Sequence, residues 1–378
     1  LVGGNRPDSI QEMTLAGKRD GTLTGLVGRA MGTAGNGTRG AGCANTGVYR
    51  IPAVAMEQAT VPTFTQRGVA CRAPGHPQGL FALEGAVELF AHEAGLDALD
   101  VRLKNDPHPI RQLQWKLGAE RIGWRANRRR PSGSDEGPVK RGVGCAAAVW
   151  YQKGGGSWNV DVHVERDGTV TVFNGAQDIG TGTRTVLAIL VAEELGIAPG
   201  DVQVRIGDTS YPPGPGSGGS KTAPSLGPAA REAGLRAREA LGALLATAWG
   251  VDATEVTGRG GVYSTPSGKR ASFREACALI GDGGLQVRGT RRRNYAGYHD
   301  QTAGCQFVQV AVDTDTGVVR VERVVAVHDC GRVIDTLTSR SQVHGGVIQG
   351  ISYALYEERR LDENLGDMVN PTFDTYRI

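Results

Sequence analysis

The sequence has little net charge and no long apolar run. Lys and Arg number 42 against 39 Asp and Glu, which gives a formal charge of +3. A field this weak argues against a nucleic-acid partner, because nucleic-acid-binding domains usually carry a strongly basic face. No apolar run reaches the roughly 18 residues that suggest a membrane span. Two short basic runs, residues 125–130 and 288–293, are predicted to be solvated loops rather than phosphate contacts.

Closely spaced cysteines are also missing. The six cysteines never fall in the C-x-x-C or C-x-x-x-x-C spacing that zinc ribbons and iron–sulfur clusters use. The sequence therefore predicts neither kind of site within this chain. Scattered thiols in a long chain are typical of a reducing compartment. The sequence begins with Leu1 and without a signal peptide, which predicts a start that is internal to a longer polypeptide or processed.

Glycine, in contrast, is abundant. It makes up 57 of 378 residues, about 15% against a usual share near 7%. No Gly-X-Y period accompanies it, and hydrophobic residues at 39% with charged residues at 21% are sufficient for a core. The chain is predicted to be globular, with roughly two or three domains.

The pattern of apolar residues predicts alternating strands and helices. Strands are predicted at residues 23–30 and 202–207, hairpins at 160–172 and 307–327, and helices at 78–94, 97–104, 183–195, 226–249 and 338–356. The polar, basic segment 125–140 is predicted to be a linker between one domain, 1–124, and a second, 141–378. Hairpins followed by helices favour an α+β fold of two mixed α/β subdomains over a doubly wound parallel sheet.

Four glycine-rich loops are the strongest functional signal. They cover residues 72–79, 177–185, 214–222 and 329–332, the last one leading into 341–346, and each is predicted to join a strand to a helix. Backbone N–H groups and the helix N-terminus converge on an anion at such a junction. One such loop alone indicates a sharp turn that needs positive φ. The four together predict bare backbone brought close to an extended, phosphate-bearing ligand.

Two common phosphate-loop templates do not fit these loops. Ser220 separates Gly219 from Lys221, so the Walker spacing fails by one residue. Thr185 stands where the third glycine of a dinucleotide fingerprint is needed. Two alternatives nevertheless stay open. One is a non-catalytic phosphate- or nucleotide-binding module that uses the 214–222 loop, and the other is an assembly subunit that only contacts partner chains.

The order of the motifs carries a family resemblance. R-A-P-G begins at Arg72, D-I-G-T-G-T-R-T-V at Asp178, G-G-S at residue 218, D-C-G-R at Asp329 and Q-V-x-G-G at Gln342. In this order they resemble the molybdenum-binding large subunit of the xanthine dehydrogenase/aldehyde oxidase family. The G-T-G-T-R-T form is most similar to bacterial three-subunit aldehyde oxidoreductases.

The resemblance implies a fold, a function and partners. The fold is the α+β molybdopterin-binding type of this family. The function is oxidation of aldehydes, or hydroxylation of N-heteroaromatic rings, with oxygen derived from water. The cofactor is a molybdenum–molybdopterin, expected in its cytosine dinucleotide form. Electrons are expected to leave through Fe–S and FAD subunits of a hetero-oligomer, in the cytoplasm or, through export with a partner subunit, in the periplasm.

The resemblance also assigns residues. It places Arg72 beside the metal's oxo ligand as the catalytic candidate, and it implies no protein ligand to the metal, which the pterin sulfurs hold. Thr181 stands where many relatives carry Gln, so fewer hydrogen bonds are expected there. The implied cofactor-binding residues are Ala73, Gly180, Thr181, Gly182, Thr183, Gly219, Ser220 and Gln342.

Other chemically capable residues receive ordinary interpretations. His76 is predicted to be a loop residue, His344 a contact at the start of a helix, and Cys330 a packed thiol. Two family motifs have no counterpart: a Gly-Gly-Gly-Phe-Gly loop expected before Leu1 and a Gly-x-Gly-Glu motif with the catalytic Glu expected after Ile378. The resemblance therefore implies a fragment or one half of a split subunit, inactive by itself.

Overall fold

The computed structural model describes residues 4, 6–36, 45–128, 134–151, 154–291 and 301–378. Residues 37–44, part of the predicted linker (129–133) and part of the second basic run (292–293) lie outside these residues. Within them, the strands are β1 (Ser9–Gly17), β2 (Leu23–Gly35), β3 (Ala53–Pro62), β4 (Val139–Tyr151), β5 (Asn159–Val164), β6 (Val170–Asn174), β7 (Val202–Ile206), β8 (Thr257–Arg259), β9 (Val262–Ser264), β10 (Arg270–Ser272), β11 (Leu285–Thr290), β12 (Gln301–Asp313) and β13 (Val319–His328).

The same part of the chain forms eight helices. They are α1 (His76–Glu93), α2 (Ala98–Asn105), α3 (Pro109–Ile122), α4 (Trp124–Arg128), α5 (Thr183–Leu195), α6 (Thr222–Trp249), α7 (Phe273–Cys277) and α8 (Thr336–Leu355). None of the helices in the described residues is both long enough and apolar enough to cross a membrane.

The chain divides into two compact units. Unit 1 comprises Leu1–Tyr151, Gln301–Gly331 and Val343–Ile378, and unit 2 comprises Gln152–Asp300 and Arg332–Gln342. Unit 1 is made of three segments of the chain and unit 2 of two, whereas the predicted linker at 125–140 assumes a single boundary. Residues 125–128 of that segment are helical, and residues 139–140 already belong to β4.

Unit 1 contains two three-stranded sheets. One has the order β1-β2-β3, with β1 antiparallel and β3 parallel to β2, and the other is the antiparallel sheet β13-β12-β4. Phe307 of β12 lies in the core, with the rings of Trp115 and Trp124 edge-on to it at 5.8 and 5.7 Å. Gly118 of α3 leaves the space that the Phe307 ring occupies. Aromatic packing of this kind holds the helices against the second sheet.

Unit 2 is built on the four-stranded sheet β11-β5-β6-β7. The β6–β7 pair is parallel and the other pairs are antiparallel, as expected for a mixed sheet. Val160, Val162 and Val164 alternate along β5 and are fully buried. Helices α5 and α6 cover this side of the sheet, and Gly234 of α6 brings its backbone close to Val191 of α5. The alternating valines therefore direct one face of the sheet into the core.

The α+β prediction is confirmed, and α5 has the predicted bounds. One expectation about the loops is wrong. The Arg72 loop does not join a strand to a helix, because β3 ends at Pro62 and an irregular segment precedes α1. The loops after β6, β7 and β13 do lead from a strand into α5, α6 and α8.

Gly196→Ala is expected to destabilise unit 2 by about 2–3 kcal/mol. Gly196 ends α5 with φ +70°, and an added Cβ would overlap the backbone of Gly261. Urea unfolding of both proteins measures the difference. Gly200→Ala is the matched control, since no atom lies within 4 Å of its Cβ position. Equal midpoints for Gly196→Ala and Gly200→Ala would contradict the prediction.

Candidate functional site

The loop between β6 and α5 is organised by one carboxylate. Asp178 Oδ1 accepts hydrogen bonds from the N–H groups of Gly180 (3.0 Å), Thr181 (3.0 Å) and Gly182 (3.2 Å). Its Oδ2 accepts one from the N–H of Arg184 at 3.1 Å. Burial acts to raise the pKa of Asp178, but these backbone donors outweigh it and hold the pKa below the ordinary value. Sequence reasoning expected these amides to face an anion, and in the structure that anion is the Asp178 side chain.

The second and third glycine-rich loops lie side by side in unit 2. Ser217 donates its hydroxyl to the Gln177 carbonyl at 3.0 Å and its N–H to the Gln177 side-chain oxygen at 3.3 Å. The N–H of Gly175 donates to the Pro212 carbonyl at 2.7 Å. The structure thus brings together the two loops that contain most of the predicted cofactor-binding residues.

The third loop reaches α6 through two left-handed residues. Gly219 has φ +67° and Ser220 has φ +57°. This conformation brings the side chain of an ordinary L-residue close to its own backbone. Among the non-glycine residues that the structure describes, only Ala73 (φ +53°) and Ser220 have positive φ. Both are residues that the family resemblance assigns to the cofactor, and strained backbone is concentrated at functional sites.

Helix α8 begins beside the second loop in unit 2. Asp335 accepts a hydrogen bond from the N–H of Thr338 at 2.8 Å, which caps the helix. A Cβ on Gly182 would lie 2.8 Å from Thr338, so only glycine fits there. Gln342 follows one turn later and is exposed. Thr183, in contrast, is buried at the start of α5.

Arg72 and Ala73 lie in unit 1. A Cβ on Gly346 of α8 would lie 3.5 Å from the guanidinium carbon of Arg72, so the flat cation rests on bare helix backbone. The Arg72 carbonyl accepts a hydrogen bond of 2.6 Å from Arg6. The Arg72 side chain is itself exposed.

Tyr353 anchors the Arg72 loop to α8. Its hydroxyl accepts hydrogen bonds from Gln349 (2.9 Å) and Arg6 (3.3 Å) and lies 3.4 Å from the Cys71 sulfur. The Arg6 guanidinium also lies 5.2 Å from the centre of the Tyr353 ring. Sequence reasoning missed Arg6 and Tyr353, because 347 residues separate them and neither stands in a glycine-rich loop.

The predictions for His344 and Cys330 are wrong. Helix α8 begins at Thr336, so His344 lies in its third turn and is exposed rather than being a contact at the helix start. Cys330 is exposed rather than packed, because the loop after β13 turns outward at Gly331 with φ +74°. The described cysteines, which exclude Cys43, are all free thiols.

His76 occupies a structured position. It is the first residue of α1, and its Nδ1 lies 3.0 Å from the side-chain nitrogen of Asn45. Its ring lies edge-on to Trp150 and Tyr151 at 4.8 and 5.4 Å. Within the described ranges, no three or more His, Cys, Asp or Glu side chains are grouped to hold a metal ion.

Comparison with known families identifies the class of protein. Residues 117–378 and residues 1–106 match two molybdopterin cofactor-binding domain families. The chain therefore belongs to the molybdopterin cofactor-binding proteins, among the molybdenum-binding subunits of the xanthine dehydrogenase/aldehyde oxidoreductase family. This confirms the resemblance drawn from the motifs.

Particular relatives agree with this class. The chain is 31% identical, over 99% of its length, to the aldehyde oxidoreductase molybdenum-binding subunit PaoC of Escherichia coli K12. It is 29% identical, over 95% of its length, to the putative xanthine dehydrogenase molybdenum-binding subunit XdhA of the same organism. It spans 52% of either relative. Quinoline 2-oxidoreductase from Pseudomonas putida 86 shares the fold, with TM-score 0.85 and 23% identity over 98% of this chain and 53% of that one.

Ser220→Gly is expected to raise the free energy of unfolding by about 1 kcal/mol, because glycine adopts φ +57° without steric cost. Differential scanning calorimetry measures the change. The control is Ser210→Gly. Ser210 is a loop serine that does not have positive φ, and its hydroxyl donates to Asp208 at 2.8 Å, so the control variant should lose stability. A destabilised Ser220→Gly protein would show that the left-handed serine is not strained.

Proposed function

We propose that this chain is the cofactor-binding half of a molybdenum hydroxylase subunit that oxidises aldehydes or hydroxylates N-heteroaromatic rings, with water as the oxygen source. The observation that carries the proposal is the agreement between family membership and backbone strain. The two non-glycine residues with positive φ in the described chain, Ala73 and Ser220, are both among the residues that the motifs assign to the cofactor.

The residues present fit a large pterin cofactor. In unit 2, the Thr181 hydroxyl, the backbone of the Gly219–Ser220 turn and the Gln342 amide would be offered to it. In unit 1, Arg72 would offer a cation that lies against Gly345 and Gly346 of α8. The molybdenum cofactor supplies two-electron redox chemistry when it is bound. The chain's own residues bind and orient it, and Arg72 adds positive charge.

Several finer features belong to the same proposal. The cofactor is proposed to be the cytosine dinucleotide form of molybdopterin. Electrons are proposed to pass to Fe–S and FAD subunits of a hetero-oligomer, which agrees with relatives that are themselves named as subunits. The assembly is proposed to be cytoplasmic, or periplasmic where a partner subunit directs export.

Metal and pterin analysis of the natural assembly tests the proposal. We expect molybdenum and pterin in equimolar amounts with this chain, measured by mass spectrometry of the metal and fluorescence of the oxidised pterin. Cytidine monophosphate released by acid would identify the dinucleotide form. Fully assembled protein without molybdenum would overturn the proposal.

A second candidate is a non-catalytic nucleotide-binding module. Helix α6 favours it, because this long helix begins after Lys221 without a side-chain cap, and such an N-terminus attracts anions. Calorimetric titration of the chain with magnesium and ATP distinguishes the two. Tight, magnesium-dependent binding would favour this candidate, whereas its absence together with bound molybdenum would exclude it.

A further inference from the structure

We propose that Asp178 is a built-in anion: its carboxylate occupies the amide nest at the start of α5, excludes phosphate from that turn and positions Thr181. The part concerning Thr181 rests on the proposed function. The exclusion of phosphate concerns the chain alone. Asp178 is thereby a positioning residue, which acts through the loop backbone.

The first step is that the Asp178 carboxylate fills the ring of backbone N–H groups at the start of α5. Asp178 accepts hydrogen bonds from four backbone N–H groups, three to one oxygen and one to the other. Gly180 (φ +90°) and Gly182 (φ +82°) turn the chain so that successive N–H groups point inward. Concave rings of N–H groups of this type bind phosphate in many proteins. Here the carboxylate already has the place that a phosphate oxygen would take.

The second step is the cost of displacing the carboxylate. Hydrogen bonds to a charged acceptor are stronger than hydrogen bonds to a neutral one. If a phosphate displaced the Asp178 carboxylate, the carboxylate charge would also remain close to the incoming anion. The low pKa of Asp178 agrees with an acceptor that the loop stabilises in its charged form. A phosphate group of any ligand is therefore directed to another part of the molecule.

The third step concerns Thr181, which lies between the two glycines and is exposed. Its N–H is fixed on Asp178, and its neighbours Gly180 and Gly182 are fixed on the same oxygen. The exposed Thr181 side chain is therefore carried by a backbone that the carboxylate holds in one conformation. Removal of Asp178 frees this backbone without touching the exposed side chain.

Phosphate titration of the cofactor-free 378-residue chain, followed through the amide resonances of residues 180–184, tests the exclusion. We expect no phosphate-dependent shift in the wild type. Asp178→Ala is expected to acquire phosphate binding at these amides, seen as resonance shifts that saturate with rising phosphate and that the wild type does not show. Asp178→Asn retains an oxygen that accepts the three donors, so it is expected to stay close to wild type.

Asp208→Ala is the matched control. Asp208 also accepts hydrogen bonds in a unit 2 loop, but only from the N–H and hydroxyl of Ser210. Its removal should leave the resonances of residues 180–184 insensitive to phosphate. Wild-type shifts at these amides, or a folded Asp178→Ala protein that gains no binding, would overturn the proposal. If Asp178→Ala does not fold, wild-type shifts at these amides would still overturn the proposal.

The amount of bound pterin distinguishes a positioning role of Asp178 from a contribution to stability alone. In the natural assembly, Asp178→Ala is expected to lose bound pterin and Asp178→Asn to restore it, while Asp208→Ala retains it. Equal pterin in all three variants would overturn the positioning role. An assembly that contains no molybdenum even in the wild type would overturn the proposed function, and the phosphate titration would still stand.

Discussion

Arg102→Met is expected to lower the free energy of unfolding by about 3–5 kcal/mol, because it leaves a buried carboxylate without its cation. The Arg102 guanidinium donates to Glu84 at 2.8 Å, and their side chains are only 1% and 7% exposed. The second Glu84 oxygen accepts the Tyr49 hydroxyl at 2.7 Å. Without Arg102, the carboxylate between α1 and α2 stays buried and loses its cation. Urea unfolding at neutral pH measures the loss.

A double variant tests whether the loss of stability comes from the buried Glu84 carboxylate that is left without its cation. Glu84→Leu combined with Arg102→Met removes both ions, so it should cost less than Arg102→Met alone. Arg29→Met is the surface control, because the Arg29–Glu12 pair has side chains that are 55% and 60% exposed and is expected to contribute little to stability. A double variant at least as unstable as Arg102→Met would contradict this explanation.

The local elements of the fold were predictable where glycines mark their ends in the sequence. Helix α5 has an apolar central part and a glycine next to either end, so its bounds follow from the chain itself. Strand β3 was missed because it is exposed on both faces and shows no apolar alternation. Its position depends on the backbone hydrogen bonds of the neighbouring strand β2, which no local pattern encodes.

The candidate site was predictable only through its motifs. The Gly219–Ser220 turn stands out by its glycines, and family resemblance adds Arg72 and Ala73. The capping role of Asp178 was not predicted, although an Asp two residues before Gly-x-Gly at a helix start is a signal for a side chain that caps the turn. The role of Tyr353 could not be predicted, because it depends on pairing residues from opposite ends of the chain.

Arg72→Ala is expected to reduce turnover per bound molybdenum by about a hundredfold in the intact assembly, with little change in cofactor content. Arg72 is exposed, so its truncation removes charge and hydrogen-bond donors rather than core packing. Its loop is held through backbone, by Arg6 on the Arg72 carbonyl and by the left-handed Ala73, and these features remain in the variant. Steady-state kinetics normalised to molybdenum measures the effect.

The lysine variant distinguishes charge from shape at this position. Arg72→Lys keeps the cation but loses the flat fork that lies on Gly345 and Gly346, so its turnover should fall between those of Arg72→Ala and wild type. Arg67→Ala, an exposed arginine earlier in the same irregular segment, is the matched control and should behave like wild type. Unchanged turnover in Arg72→Ala would show that this cation takes no part in the reaction. A proportional loss of molybdenum would instead assign Arg72 to binding of the cofactor.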